Sequence, residues 1–159
     1  MTEAMTRSFS IKPIGVVRNT DDDTCIEIFD AYTDGLLGLE GFSHIYVFYW
    51  FDQNDTPENR RTLQVHPRKD PRNPLTGVFA THSPLRPNLI ALSRCKIMSI
   101  TANIIELEDI DALDGTPVID IKCYIPPENE TVRLPEWVRM NREDDSGQKT
   151  EDRKQRADD

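Results

Sequence analysis

Apolar and polar residues alternate along much of the first 125 positions, and this pattern predicts a chain of short β-strands. An apolar residue at every second position gives a strand one face that packs on a core. Residues 45–51 form the longest apolar run, and we expect the strand at residues 44–51 (HIYVFYWF) to be buried on both faces. The predicted strands are residues 10–18, 25–32, 44–51, 62–66, 89–102, 103–107 and 117–124. Seven strands with almost no helical periodicity predict an all-β barrel or sandwich.

The segments between these strands are polar or rich in glycine and proline. Gly35, Gly38 and Gly41 recur at every third residue, which predicts a tight helical turn or a loop. Residues 67–74 (PRKDPRNP) contain three prolines and predict an irregular, exposed loop. The chain therefore reads as strands joined by loops and short helical turns.

The predicted organisation is one domain with two irregular ends. Residues 1–8 read as a flexible leader and residues 9–140 as a single domain. Residues 141–159 hold one apolar residue, Ala157, among charged and polar ones. Because so little apolar surface cannot offset the entropy of ordering, we expect a disordered acidic tail there.

Composition narrows the class of protein. The 159 residues are 37% hydrophobic and 30% charged, which suits a soluble globular domain. No apolar run approaches the roughly 20 residues of a membrane span, and the N-terminus lacks the apolar region of a secretory signal. Cys25, Cys95 and Cys123 are far apart, so we expect reduced thiols in a cytoplasmic protein rather than disulfides. His44 and His66 have no third ligand nearby in sequence, and we predict no metal site.

Charge is distributed unevenly along the chain. Residues 60–96 carry eight basic residues against Asp70 alone, a net +7 in a chain of net charge −9. A basic patch on an acidic body can still hold a polyanion such as RNA. The alternative is a surface where these cations form salt bridges with acidic neighbours. Both interpretations stay open from sequence.

Two sequence blocks point to a known family. They are GVFATHSPLRPNLIALS at residues 77–93 and DALDGTPVIDIKCYIP at residues 111–126. With IGVVRN (14–19) and GLEGFSHIYVFYWF (38–51), they resemble the TsaA/TrmO-like family over roughly residues 9–127. The resemblance implies a compact antiparallel β-barrel, a homodimer, and S-adenosylmethionine (SAM) bound near the subunit interface. It also implies methyl transfer to N6 of N6-threonylcarbamoyladenosine 37 in a tRNA.

The resemblance further implies SAM contacts at Asp52, Gln53 and His82 and in the turn formed by Asp111, Ala112, Leu113, Asp114, Gly115 and Thr116. Arg86, Asn88 and Leu92 complete the set of twelve predicted cofactor contacts. His82 stands where the family usually has arginine, and Leu89 and Ala91 stand where proline and glycine are usual. The Pro-Arg-Gln stretch that longer members carry after the first block has no match in residues 19–34.

Asp111 and Asp114 are also our candidates for a catalytic carboxylate. The exocyclic N6 of adenine is a weak nucleophile, and a carboxylate that accepts a hydrogen bond from it can also take its proton. The alternative is a turn in which aspartate side chains cap backbone amides. The glycine pattern lacks Gly-x-Gly-x-x-Gly, so a SAM site here is not of the dinucleotide-fold type.

Other candidate residues have structural alternatives. Arg86, held between prolines, is aimed at the SAM carboxylate or an RNA phosphate, or else forms a salt bridge with Asp120 or another acid. Leu92 packs on the cofactor or fills the core. His82 donates a hydrogen bond or is a surface loop residue, and Asn88 either contacts the cofactor or shapes its loop.

Four aromatic residues of the predicted strand 44–51 also have two interpretations. Tyr46, Tyr49, Trp50 and Phe51 form a base-stacking platform or, in the interpretation we favour, pack in the core. For the whole protein, the leading hypothesis is a SAM-dependent tRNA methyltransferase that contacts tRNA through residues 60–96. The alternatives are a SAM-dependent enzyme for a small molecule or protein, and a non-catalytic SAM-binding module.

Overall fold

A computed structural model describes Met5 and residues 7–142 of the chain. The described residues belong to two compact units, Met1–Ile125 and Pro126–Asp159. In the second unit residues 136–142 are helical, which includes the first two residues of the predicted tail. The rest of the predicted tail and most of the predicted leader lie outside the described residues. The boundaries predicted for the domain at residues 9 and 140 stay predictions.

The described part of the first unit consists mainly of β-strands. The strands are β1 Gly15–Asn19, β2 Thr24–Ile28, β3 His44–Trp50, β4 Gln64–Val65, β5 Thr76–Gly77, β6 Ile90–Thr101, β7 Ile104–Leu107 and β8 Pro117–Cys123. Helix α1 is Pro57–Arg61, and the 3-10 helices are Asp30–Leu36, Leu39–Gly41, Asp52–Asn54, Pro67–Lys69 and Val78–Ala80. The predicted all-β class with short helical turns is therefore confirmed.

Six of the strands close into an antiparallel barrel in the order β1-β2-β7-β6-β3-β8. The ring closes where Gly15 and Val16 of β1 pair with Val118 and Pro117 of β8. β4 and β5 form a separate two-stranded sheet. The barrel predicted from alternation and from the family resemblance is confirmed.

The alternating apolar residues of the six strands meet inside the barrel. Val17, Ile26, Ile45, Ile105 and Val118 are completely buried there. Burying an aliphatic side chain of this size contributes about 1.5 to 3 kcal/mol, so these positions dominate the stability of the barrel.

Strand β3 is buried on one face only, so the prediction for both faces is wrong. Ile45, Val47 and Tyr49 point into the core, whereas the alternate residues of β3 are half-buried. Those alternate side chains point out of the barrel, because successive residues of a strand face opposite sides. Of the four aromatic residues, Tyr49 lies in the core and Phe51 packs against it. Tyr46 and Trp50 lie on the outer side.

Two further boundaries differ from the sequence prediction. β1 begins at Gly15 rather than residue 10, and β2 ends at Ile28 because a 3-10 helix follows at Asp30–Leu36. The proline-rich loop 67–74 is not simply exposed. Asn73 is buried, and its side-chain amide donates to the carbonyl of Pro67 at 2.9 Å.

Strand β6 has one half of an edge without a partner strand. Residues 90–96 pair with β3, and Ile97 to Thr101 pair with β7. β7 ends at Leu107, and the chain leaves the sheet after Glu108 donates its amide to Lys96. In the part of the chain that the structure describes, no strand covers the other edge of residues 90–96. The ring of strands is closed through the pairing of Ile97–Thr101 with β7, but this stretch of the β6 edge is unpaired, and we call it the β6 opening.

Candidate functional site

A cavity of about 740 Å³ lies at the β6 opening. Its walls come from the end of β3 with the following 3-10 helix, the loop after β5, the first residues of β6, and residues 110–116. The two sequence blocks at 77–93 and 111–126 supply most of this lining. The barrel therefore brings together segments that are distant along the chain.

Nine of the twelve predicted cofactor contacts line this cavity. They are Asp52, Gln53, His82, Arg86, Leu92, Asp111, Ala112, Leu113 and Thr116. Asn88, Asp114 and Gly115 do not line it. The assignment of all twelve to SAM stays a prediction, but the fold places most of them around one space.

The side chain of Asn19, at the end of β1, holds the loop of residues 110–116. Its amide nitrogen donates to the carbonyl of Ile110 at 3.2 Å and to that of Ala112 at 2.7 Å. Its backbone N–H donates to the carboxylate of Asp114 at 3.0 Å. Asn19 also lines the cavity, so one residue fixes the loop and contributes to the wall.

The end of the same loop depends on Gly115. Its φ is 82°, a left-handed conformation that side chains with a Cβ rarely adopt. Its N–H donates to the carbonyl of Val17 at 2.8 Å, and the hydroxyl of Thr116 donates to the carbonyl of Leu113 at 2.7 Å. Gly115 thus shapes the turn that places Ala112 and Leu113 in the wall.

The hydroxyl of Tyr49 bonds to both sides of the β6 opening. It donates to the carbonyl of Asp111 at 2.5 Å and lies 3.1 Å from the hydroxyl of Ser93 on β6. Burial is the main cause that raises the pKa of Tyr49, so the phenol keeps its proton at neutral pH. The two hydrogen bonds tie the loop to β6 across a gap that no strand fills.

The two candidate carboxylates have different surroundings. Asp111 lines the cavity and is exposed, and its carboxylate accepts no hydrogen bond from the described residues. Asp114 points away to the amide of Asn19, which is the backbone-capping role of our alternative interpretation. Asp111 is therefore the carboxylate that is free to meet a ligand. Catalysis by either residue stays a prediction.

Arg86 reaches the cavity from its proline-flanked loop. Its Nη1 donates to the carbonyls of Thr81 and Ser83, both at 3.1 Å. It forms no ion pair within the described residues, so the salt bridge to Asp120 or another acid is wrong. One end of the guanidinium thus fixes the loop, and its remaining donors are available to a ligand.

Leu92 is 50% exposed and lines the cavity, so the alternative that it fills the core is wrong. Leu89 and Ala91, which depart from the usual family residues, are themselves buried and pack in the interior. His82 is exposed at the cavity and is consistent with either interpretation. Asn88 lies at the surface, and its carbonyl accepts from the amide of Ile90, which agrees with a loop-shaping role.

Sequence reasoning did not assign Asn19, Tyr49 or Ser93 to the site. Asn19 is the last residue of the IGVVRN block, and that position was the available signal. Tyr49 was assigned to the core, which is correct for its ring but not for its hydroxyl. Only the fold reveals that these side chains meet residues 110–116.

Within Met5 and residues 7–142, no group of three or more His, Cys, Asp or Glu side chains is arranged to hold a metal ion. Every helix in that part of the chain is too short or too polar to cross a membrane. The cavity at the β6 opening is therefore the candidate site.

The fold and the cavity together define a small-molecule-binding protein built on an antiparallel β-barrel. Residues 6–129 match the family described as the tRNA-methyltransferase O N-terminal domain. The chain belongs to this family, and the resemblance seen in the sequence is confirmed.

Similar proteins fall into two groups by length. A probable S-adenosyl-L-methionine-binding protein of Methanocaldococcus jannaschii is 48% identical over 116 residues, which cover 73% of this chain and 92% of that protein. A protein of the same description from Pyrococcus horikoshii is 46% identical over 117 residues, 74% of this chain and 83% of that protein. The tRNA (adenine(37)-N6)-methyltransferase of Mus musculus is 40% identical over 98 residues, 62% of this chain but 22% of that enzyme.

Solved structures agree with the fold. A crystal structure of TrmO superposes with a TM-score of 0.63 at 28% identity and covers 83% of this chain. TrmO from Pseudomonas aeruginosa superposes with a TM-score of 0.60 at 27% identity and covers 81%. The chain spans 64% and 62% of these two solved chains.

Proposed function

We propose that this chain binds SAM in the cavity at the β6 opening and transfers its methyl group to N6 of an adenosine in tRNA. The single observation that supports this best is the cavity itself, which gathers nine predicted cofactor contacts around about 740 Å³. That volume lies in the range of small-molecule sites. Membership of a tRNA methyltransferase family, and relatives described as SAM-binding, support the same conclusion.

The chemistry of the lining suits SAM. Apolar and aromatic side chains such as Phe79 and Leu92 offer surface to an adenine ring. Asp52 offers a carboxylate for ribose hydroxyls or an ammonium group, and Arg86 offers a guanidinium for the methionine carboxylate. The cavity lining thus contains a cationic side chain, carboxylates and apolar surface, which complement the carboxylate, the ammonium group and the adenine ring of SAM.

The reaction asks little of the protein beyond alignment. When bound, SAM supplies a methyl group already activated on a sulfonium. Residues 110–116, fixed by Asn19 and Tyr49, hold the adenosine acceptor in line with it. Asp111, which lines the cavity, would accept a hydrogen bond from the N6 amine and take its proton as the N–C bond forms and the methyl–sulfur bond of the sulfonium breaks, with the neutral thioether as leaving group.

The finer assignments are also part of the proposal. The acceptor is threonylcarbamoyladenosine 37 of a tRNA, and the protein works in the cytoplasm as a homodimer. Large exposed apolar side chains beside the cavity support a subunit contact there. Phe79 is 81% exposed and Leu113 63% exposed, and surfaces of this kind are commonly covered by another protein.

The test is a pair of measurements on the full chain. Calorimetry should detect SAM binding, and tRNA isolated from a strain that lacks the gene should then accept labelled methyl groups on adenosine. Absence of heat and of thermal stabilisation at millimolar SAM would exclude the cofactor. Binding without transfer to tRNA would favour a small-molecule or protein acceptor, or a SAM-binding module without catalysis.

A further inference from the structure

The cations of residues 60–96 do not form one surface. Arg60 pairs with Asp55 at 2.7 Å, Arg61 with Glu58 at 3.7 Å, and Arg72 with Asp70 at 2.7 Å. Each of these pairs joins residues close in sequence. Asp70 is already counted in the +7, so Asp55 and Glu58 compensate two of these charges locally. Arg86 turns inward to the carbonyls of its own loop. Residues 60–96 as a whole therefore do not provide a continuous surface for a polyanion.

Arg94 and Lys96, the last two cations of this segment, lie on the outer face of the sheet formed by β6, β3 and β8, where Lys122 of β8 joins them. Strand register places Arg94 beside Tyr46, and Tyr46 beside Lys122, in one row across the three strands. Lys96 lies beside His44 in the next row. We call this the outer basic face, defined by Arg94, Lys96, His44, Tyr46, Lys122 and Tyr124.

The aromatic rings of this face hold Arg94 in place. The guanidinium lies 5.2 Å from the centre of the Tyr124 ring, and its Nη1 donates to the Tyr124 hydroxyl at 3.4 Å. The ring of Tyr124 in turn packs edge-on against Tyr46 at 5.2 Å. An arginine restrained in this way loses less entropy when it binds a phosphate. Lys122 is exposed and has no ion pair within the described residues.

A groove connects the outer basic face to the cavity. It has a volume of about 330 Å³ and is lined by Arg94 and Lys96 on β6 and by residues 108–111 opposite. Ser93, Ile110 and Asp111 line both the groove and the main cavity, so the two spaces are adjacent.

The two walls of the groove have opposite charge. The β6 wall is basic, whereas the opposite wall carries Glu108, Asp109 and Asp111, and Glu108 lies 4.0 Å from Lys96. Acidic groups repel phosphate but accept hydrogen bonds from the exocyclic amine of a base. This arrangement suits a nucleotide whose phosphates stay on the sheet face while its base enters past the acidic wall. One exposed acid, Asp120, also lies on the face, opposite Phe48.

We propose that the acceptor RNA strand lies across the outer basic face, with its phosphates on Arg94, Lys96 and Lys122, and that the target base reaches the cavity through the groove. This inference rests on the proposed function and names the surface that serves it. The partner is a single-stranded or loop segment of RNA, because an unpaired base must leave the stack to enter a groove of this size.

The experiment compares two double variants of the full chain with equal loss of charge. R94Q/K122Q removes two cations from the outer basic face. R18Q/K12Q removes two that lie off this face, one on β1 and one in the segment before it. β1 lies across the ring from β6, and its pairing with β8 involves Val118 and Pro117 rather than Lys122. The probe is labelled tRNA from a strain lacking the gene, with binding followed by anisotropy between 50 and 300 mM salt, roughly the range where phosphate contacts dominate.

We expect R94Q/K122Q to weaken tRNA binding and to reduce the slope of log affinity against log salt by about 1.4 to 1.8, or 0.7 to 0.9 per lost phosphate contact. R18Q/K12Q should keep the original slope, and calorimetry should give both variants unchanged SAM affinity. Equal slopes for the two variants would overturn the proposal. So would a change in sedimentation of R94Q/K122Q with an unchanged slope, which would make the face a contact between copies of the chain.

The result is separable from the proposed reaction. If the wild-type chain binds tRNA with the expected salt slope but transfers no methyl group, the proposed RNA-binding surface stands and the proposed methyltransferase activity is wrong. If the wild-type chain binds SAM and methylates some tRNA, and R94Q/K122Q is as active as wild type at every salt concentration, the proposed activity stands and the proposed surface is wrong.

Discussion

The side-chain amide of Asn19 donates to the carbonyl oxygen of Ala112 at 2.7 Å and so joins two residues 93 positions apart. This bond links the end of β1 to the loop that forms one wall of the cavity. At its end the loop bonds to β1 through the backbone of Gly115 and Thr116, whereas the side chain of Asn19 holds the carbonyls of Ile110 and Ala112.

Replacing Asn19 by alanine should therefore weaken SAM binding in addition to lowering the stability of the fold. We expect Asn19→Ala to lower the free energy of unfolding by about 1 to 2 kcal/mol, because two part-buried carbonyls lose their donor. SAM affinity should fall roughly tenfold as the loop loosens, equivalent to about 1.4 kcal/mol. Urea unfolding and calorimetry measure the two effects.

Asn103 provides the matched control for that variant. Its side-chain amide also donates to a distant backbone carbonyl, that of Ile28 at 2.9 Å, but it does not line the cavity. Asn103→Ala should lower stability by a similar amount and leave SAM affinity unchanged. Equal loss of affinity in both variants would mean that general destabilisation, not the loop, explains the effect.

Asp111 and Asp114 should differ in kinetics. Asp111→Asn removes the carboxylate that faces the cavity, and we expect kcat to fall by roughly 10² to 10⁴ with a smaller change in SAM affinity. Asp114→Asn weakens the acceptor of the Asn19 amide, so the half-saturating SAM concentration should rise more than kcat falls. Initial rates with varied SAM at saturating tRNA distinguish the two, and the reverse ranking would assign catalysis to Asp114.

The hydroxyl of Tyr49 can be removed without changing the packing of its ring. We expect Tyr49→Phe to lower the free energy of unfolding by about 1 to 2 kcal/mol, because the Asp111 carbonyl and Ser93 lose a partner. SAM affinity should fall with it. Ser93→Ala, which leaves the bond to Asp111 in place, is the milder comparison and should weaken SAM binding less.

The free energy of unfolding should decrease at alkaline pH because two buried cysteine thiols in the core lose their protons. Burial raises the pKa of the Cys95 thiol to about 11, and burial with the nearby Asp23 carboxylate raises that of Cys25 to about 11. A raised pKa means that the unfolded chain loses these protons first. The stabilising effect is therefore complete below about pH 9 and is lost as the pH rises through 11.

Urea unfolding between pH 8 and 11 measures this decline, and Cys95→Ala should make it shallower. Tyr49 contributes in the same direction, since its pKa is also raised. A stability curve that is flat over this range, or equally steep in Cys95→Ala, would contradict the assignment. Alkylation at neutral pH should modify the half-buried Cys123 before the two buried thiols.

The strands were predictable because alternation is a local property of the sequence. β3, β6 and β8 lie within one or two residues of their predicted positions, since each carries inward apolar residues at every second position. The end of β2 at Ile28 was not predictable. Its apolar pattern continues to Tyr32, and only the 3-10 helix that follows shows where pairing stops.

The site was predictable as a set of segments but not as a set of contacts. Asp111 and Asp114 are equivalent in sequence, but only the Asp114 carboxylate is held by the backbone N–H of Asn19, which is more than 90 residues away. The same holds for the Tyr49 hydroxyl, because its partner Asp111 is 62 residues distant. Pairings of this kind are set by the closure of the barrel and have no local signature.

The unpaired edge at residues 90–96 has a consequence for solubility. An exposed strand edge is a template on which another chain can add a strand, and such edges promote aggregation. Here charged Arg94 and Lys96 flank the edge, and the loop held by Asn19 and Tyr49 stands over it. The hydrogen bonds that shape the ligand cavity therefore also keep separate copies of this barrel from polymerising through β6.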